Sequence, residues 1–209
     1  MSAWATLLTI AGVHALGLLV PGPNVLAVTH TALTRSRRAG VAVAAGVTVG
    51  AAVWSSAASF GLAAVLTHAA GVETGLRLAG AAFLVWIGLR HLLARRQPAP
   101  TEPVEPQLRG GSSRSLVARG LLVNLTNPKS MLFFASVFAA LVPAHAPLWL
   151  RGAAVGVVVV DSAIWHTTLA VVFSTRPFAR AARASGATVR RVVGGVFVLF
   201  GVRLAFGGL

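Results

Sequence analysis

The sequence predicts an all-α integral membrane protein of six transmembrane helices, arranged as two inverted three-helix repeats with helices one and four broken at proline. Three observations support this fold class. The 209 residues are 56% hydrophobic and only 11% charged, which excludes a soluble domain. The chain contains six apolar runs of membrane-spanning length. Its two halves also share motifs on either side of a proline-rich linker.

The apolar runs define the elements of this fold. Each is long enough to cross about 30 Å of hydrocarbon, which takes roughly 20 helical residues. Pro21 interrupts the first run and Pro128 interrupts the fourth. We predict that the six helices span residues 4–29, 39–67, 76–93, 116–142, 148–173 and 189–208.

The positions of the basic residues give the orientation of these spans. Most of the 18 Lys and Arg residues fall in the connections around residues 35–38, 90–119 and 176–191, which lie on one side of a six-helix bundle. The positive-inside rule places that side in the cytoplasm, so both the N-terminus and the C-terminus are expected outside the cytoplasm. The net charge then serves topology and attraction to anionic lipid, and no nucleic-acid partner is expected.

A linker over residues 94–115 separates two repeats, because its four prolines exclude a regular helix. The repeats cover residues 1–93 and 116–209. The motif "PGPN" of the first corresponds to "NLTNPK" of the second, and "RLAGAAFLVWIGLR" aligns with "RRVVGGVFVLFGVR". Each repeat has three spans, so the second must insert in the opposite orientation, as in many secondary transporters.

Glycine pairs open the second and fifth spans. Gly46 and Gly50 form one pair, and Gly152 and Gly156 form the other. Small residues four apart let helix backbones approach closely. We therefore predict close helix contacts at both pairs, and the same surfaces are compatible with a homodimer interface.

The two proline motifs are predicted to form opposite walls of a transport site. Proline frees backbone polar groups that lipid cannot satisfy, so an unwound segment must face protein or water. Breaks in both repeats place freed carbonyls and helix N-termini around a small polar solute, whereas a single motif would be explained by a simple kink. The predicted substrate-binding residues are Pro21, Gly22, Pro23, Asn24, Asn124, Asn127, Pro128 and Lys129.

Two ionisable side chains fall deep within the predicted spans. A charge at mid-bilayer costs about 2.5–3.5 kcal/mol and usually has a function. Lys129 lies about thirteen residues into the fourth run, roughly 20 Å deep, and Asp161 lies about ten residues past Arg151, roughly 15 Å from the other face, at 1.5 Å per residue. We predict that Asp161 couples transport to protons and that Lys129 contacts a substrate carboxylate; the structural alternative is a fixed ion pair between them. For His14 and His166, hydrogen-bonded packing is favoured over a proton relay.

These motifs together are similar to the LysE/RhtB family of bacterial amino-acid exporters. The resemblance covers essentially the whole chain and rests on "PGPN", "ALTRSRRAGVAVAAGVTVG", "LRLAGAAFLVWIGLR", "GLLVNLTNPKSMLFF" and "VVVVDSAIW". It implies an inner-membrane protein that exports amino acids such as lysine, arginine, threonine, homoserine or leucine, driven by the proton motive force. Many members carry an acid where this chain has Asn24, so a neutral amino acid or derivative is favoured over a cationic one.

Other classes of function fit the residues less well. A metal-ion or other small-cation exporter on the same scaffold is the main alternative, although it would need more carboxylate, His or Cys ligands at depth. A membrane-embedded enzyme would need a cluster of catalytic side chains around Asp161. No cofactor motif and no resident metal site appear in the sequence. The expected partners are therefore a small-molecule substrate and the lipid bilayer.

Overall fold

The computed structural model of the chain describes residues 2–20, 22–61, 72–93, 112–143, 145–175, 191–192, 194–199, 201–203 and 205–206. All regular secondary structure in these ranges is helical, which confirms the all-α prediction. The helices are α1 (Ala3–Leu19), α2 (Pro23–Thr34), α3 (Arg37–Ser56, continued by a π-helical turn over Ala57–Gly61), α4 (Val72–Leu93), α5 (Ser113–Leu125), α6 (Pro128–Leu141), α7 (Leu148–Val172) and α8 (Gly194–Arg203).

Two of these stretches are long and apolar enough to cross a membrane, Arg37–Gly61 and Leu148–Val172. A third span results if α1 and α2, which are bent by 58° relative to each other, count as one broken helix. The helix α7 matches its predicted span to within one residue. The six-span inverted repeat stays a prediction, and most of the predicted linker falls outside the described residues.

Both predicted helix breaks are present, and each restarts in the same way. The first helix ends at Leu19, and α2 begins with Pro23 at its first turn. At the second break α5 ends at Leu125, and α6 begins with Pro128. Proline suits the first turn of a helix because the backbone donor that it lacks has no partner there. A proline therefore stands at the first residue of the second half-helix at both breaks.

The helix α3 lies at the centre of the fold and crosses α5 with the two backbones in contact. A Cβ atom at Gly46 would lie 1.9 Å from the carbonyl oxygen of Val117, and one at Gly120 would lie 2.1 Å from that of Val43. Only glycine permits such an approach. The predicted close contact at the first glycine pair is thus confirmed, and it joins the two halves of the sequence.

The second glycine pair behaves differently. A Cβ at Gly152 or Gly156 would meet none of the described residues within 4 Å, and both glycines lie on an exposed face of α7. The expectation of a close contact within the chain is wrong for this pair, because α7 turns its other face towards the bundle. A homodimer interface at these glycines stays a prediction.

A buried arginine joins the π-helical turn after α3 to the start of α7. Arg151 is only 6% exposed. Its guanidinium donates to the carbonyls of Ser59, Pro143 and Ala146. The sequence indicated only a charge near a span end, whereas the structure shows a side chain that satisfies carbonyls which lipid would leave without partners.

Candidate functional site

The two helix breaks lie side by side and are joined by hydrogen bonds between their asparagines. The Asn127 amide Nδ2 donates to Oδ1 of Asn24 at 3.4 Å, and Nδ2 of Asn24 donates to Oγ of Ser130 at 3.3 Å. Asn127 also caps α6, because its Oδ1 accepts the backbone N–H of Lys129 at 3.0 Å. Residues more than one hundred positions apart thus form one polar surface.

A cavity of about 60 Å³ opens between the breaks. At about 30 Å³ for each water molecule, it holds roughly two waters in this conformation. Its wall is polar around the two breaks and aromatic on the α6 side. The lining residues are His14, Gly17, Leu18, Val20, Gly22, Asn24, Val25, Ala51, Asn124, Asn127, Lys129, Ser130, Phe133, Phe134, Ser162 and His166.

Most of the residues predicted to bind substrate meet at this cavity. Its lining includes Gly22, Asn24, Asn124, Asn127 and Lys129. The prolines have a different position. Pro23 is exposed at the start of α2 and does not line the cavity, Pro21 lies outside the described residues, and Pro128 is described only as the first residue of α6.

Lys129 reaches from α6 to the end of α1. Its ammonium Nζ donates to the carbonyl of Val20 at 3.1 Å and to that of Gly17 at 3.4 Å. These carbonyls belong to the last turn of α1, where the helix leaves acceptors without intrahelical donors and carries partial negative charge. The only lysine in the chain therefore bridges the two broken helices.

Asp161 contacts a different side chain from Lys129, the partner that the sequence suggested. Oδ2 of Asp161 lies 3.3 Å from Nδ1 of His14, and the two side chains are 24% and 4% exposed. Among the described residues Asp161 contacts His14 and not Lys129, so the fixed Lys129–Asp161 pair is not formed. His14 faces the cavity and packs against the rings of Phe133 and Phe134. A pair of titratable groups thus stands between the cavity and the outer side of α7.

A second histidine completes the polar wall on α7. Nδ1 of His166 lies 2.9 Å from the carbonyl and 3.2 Å from the hydroxyl of Ser162, and that hydroxyl lies 3.4 Å from Oγ1 of Thr48. His166 and Ser162 are buried. These contacts confirm hydrogen-bonded packing for His166, whereas His14 faces a carboxylate that sequence spacing gave no means of finding.

One buried acceptor of the wall has no partner in the described part of the chain. Oδ1 of Asn124 is buried and receives no hydrogen bond, although the residue is only 2% exposed. Its side chain packs against Gly50 of α3, where a Cβ would lie 2.6 Å from that of Asn124. No three His, Cys, Asp or Glu side chains among the described residues are grouped to hold a metal ion.

Comparison with known proteins identifies the family. The family model described as "LysE type translocator" matches residues 15–208. The chain belongs to the LysE family of translocators. These proteins move solutes and are not enzymes. No solved structure matches the chain.

Several relatives of this LysE-type translocator have names. It is 33% identical to the uncharacterized membrane protein YahN of Escherichia coli K12, over 98% of this chain and 91% of the relative. It is 29% identical to the threonine efflux protein of the same organism, over 94% of this chain and 96% of the relative. The leucine efflux protein of an Enterobacter strain is 33% identical over 62% of this chain and 60% of its own length.

Proposed function

We propose that this translocator exports an amino acid, neutral rather than cationic, from the cytoplasm and is driven by the proton motive force. The main support is that both broken helices meet at one cavity, which is lined by Lys129, Asn24 and Asn127. Relatives named as threonine and leucine efflux proteins support the same class of solute. In this proposal the cavity binds the polar end of the amino acid and the prolines maintain the breaks.

The cavity offers complementary groups to both ends of an amino acid. The Lys129 ammonium and the N-terminal end of α6 favour a carboxylate. The amide of Asn24 and the hydroxyl of Ser130 supply neutral donors and acceptors beside it. Phe133 and Phe134 present an apolar wall to the substrate side chain. Such a site suits a zwitterion with a small or apolar side chain.

The test of this function is efflux of a preloaded, isotope-labelled amino-acid mixture from proteoliposomes, with and without a protonophore. We expect selective loss of one or a few neutral amino acids that the protonophore slows. Liposomes without protein are the control. If every amino acid stays inside under a proton gradient while transition-metal ions leave, the result favours a metal-ion exporter.

Replacing Asn24 with aspartate is expected to shift selectivity towards cationic amino acids. The asparagine network carries no net charge, whereas a carboxylate beside the cavity attracts a lysine or arginine side chain. We expect the ratio of arginine to threonine or leucine efflux to rise at least about fivefold, equivalent to about 1 kcal/mol. The Asn24→Ser variant removes the amide without adding charge. Equal selectivity in both variants would show that charge at this position does not select the substrate.

For coupling, we propose that Asp161 exchanges the proton and that His14 links it to the cavity. The support is geometric, because the more exposed carboxylate contacts a buried imidazole that lines the cavity. An acid that alternates between a proton and a partner is the usual element of proton-driven transport. Protonation of Asp161 weakens its attraction for His14, which frees the helix α1 to move relative to α7.

For placement, we propose six spans in the bacterial inner membrane with both termini outside the cytoplasm, as the distribution of basic residues indicates. The chain contains no cysteine, so an introduced one is a unique label. We expect cysteine at exposed Ser2 to react with an impermeant maleimide on intact cells. Cysteine at exposed Arg38 is the matched control and should react only after permeabilisation. If the cysteine at position 38 reacts on intact cells and the one at position 2 does not, the protein has the opposite orientation in the membrane.

A further inference from the structure

The ammonium group of Lys129 is held by neutral acceptors only, as far as the described residues show. Its Nζ contacts the carbonyls of Val20 and Gly17, while the carboxylate of Asp161 is engaged with His14. A hydrogen bond from an ammonium to a carboxylate is stronger than one to a carbonyl. Another ammonium group can therefore exchange with Lys129 at these carbonyls without breaking an ion pair.

The contact of Lys129 with these carbonyls lies at the edge of the cavity. An ammonium has three donors, and Lys129 uses two of them in these contacts. Asn124 lines the same cavity, although its Oδ1 atom is buried beside Gly50 of α3. Gly22 lies on the other side of the lysine, where a Cβ would be 3.8 Å from Nζ. The ammonium of Lys129 thus lies between the two helix breaks and beside the cavity.

We propose that the carbonyls of Gly17 and Val20 form a binding subsite for a primary ammonium, which Lys129 occupies when no substrate is present. The proposal rests on the amino-acid export proposed above and specifies its ligand class. When an amino acid enters, its α-ammonium takes the place of the lysine ammonium at these carbonyls. The displaced Lys129 then pairs with the substrate carboxylate.

This exchange conserves the charge of the site. It also requires that the substrate carry both an ammonium and a carboxylate group. One ammonium replaces another at the carbonyls, and the released lysine gains the carboxylate that it lacks. An N-acylated amino acid cannot displace Lys129, because its amide nitrogen carries no charge and has a single donor. A decarboxylated amine would leave Lys129 without a partner. The ligand class is therefore a free α-amino acid.

The subsite is tested with Lys129→Ala and n-propylammonium chloride. This cation has the three carbons and the nitrogen that the substitution removes beyond Cβ, so it should occupy the vacated position. We expect it to raise the Tm of the purified variant by at least about 3 °C at ten times its Kd. Tetramethylammonium chloride, which has the same charge and no N–H donor, should leave the Tm unchanged. The Lys129→Met variant fills the space and should not respond to either salt.

An equal response of Lys129→Ala to both salts, or none to propylammonium, would overturn the subsite. If that variant does not fold, the wild-type protein provides the test, because Lys129 is its only lysine. Incorporation of lysine enriched with carbon-13 at Cε then gives a single side-chain resonance. We expect a position and linewidth different from those of free lysine; a resonance with free-lysine properties would contradict the proposal.

The outcome also separates this inference from the proposed function. Amino-acid efflux by a protein whose Lys129→Ala variant ignores propylammonium overturns the ammonium subsite and leaves export standing. Binding of propylammonium by a protein that moves no amino acid supports the subsite and overturns export.

Discussion

The Asp161→Asn variant is expected to lose proton-driven efflux, with a rate at least about tenfold lower, equivalent to about 1.4 kcal/mol of barrier. Asparagine has nearly the same shape and can still hydrogen-bond to His14, which lies 3.3 Å from the carboxylate. It cannot bind and release a proton. The fold should therefore persist while coupling is lost. The measurement is efflux of the identified amino acid from proteoliposomes under an imposed pH gradient.

The control variant for this prediction is Asp161→Glu, which keeps a carboxylate and should retain a gradient-dependent rate. Downhill exchange of the amino acid should survive in Asp161→Asn, because the cavity residues are unchanged. If Asp161→Asn still exports the amino acid against its concentration gradient, the buried carboxylate is a structural group and the proton enters elsewhere.

A methyl group at Gly46 is expected to destabilise the whole protein. In the Gly46→Ala variant the new Cβ would lie 1.9 Å from the Val117 carbonyl oxygen and 2.7 Å from the backbone nitrogen of Leu121. Backbone atoms cannot rotate away, so α3 and α5 must separate. Overpacking of this kind costs about 1–3 kcal/mol or more, which lowers the Tm by roughly 2–12 °C in a protein of this size.

The glycine at position 152 gives a matched control on another helix. A Cβ there meets nothing within 4 Å, and alanine is favoured over glycine in a helix by about 1 kcal/mol. Gly152→Ala should therefore unfold at the wild-type temperature or slightly above it. Thermal unfolding of both purified variants in the same detergent makes the comparison. Similar Tm values for the two would mean that the α3–α5 crossing tolerates a side chain.

The sequence predicted the helical class, the positions of both breaks and five of the residues that line the cavity. Proline has a direct effect on the backbone, so Pro128 could be placed at a break from its chemistry alone. The long apolar run of α7 likewise fixed its ends. These features depend on residues close together in the chain, which is why they can be read without the tertiary structure.

The partners of the buried polar groups could not be predicted in the same way. Lys129 and Asp161 were considered as a pair because each lacked an obvious partner of opposite charge. The direction of a side chain depends on how each helix is rotated about its axis, and the sequence does not specify this rotation to within one side chain. The structure turns Lys129 towards the end of α1 and Asp161 towards His14.

The backbone contact of α3 with α5 also constrains how the protein can change shape. Helices that touch at Gly46 and Gly120 can rotate about that point but have no room to slide, so the contact behaves as a pivot. Displacements are smallest beside a pivot and grow towards the ends of the helices. Asn124 packs against Gly50, one turn beyond the pivot. We expect the cavity wall at Asn124 to move little during transport. The helix ends far from the pivot should move more, and their positions should determine which side of the membrane the cavity opens to.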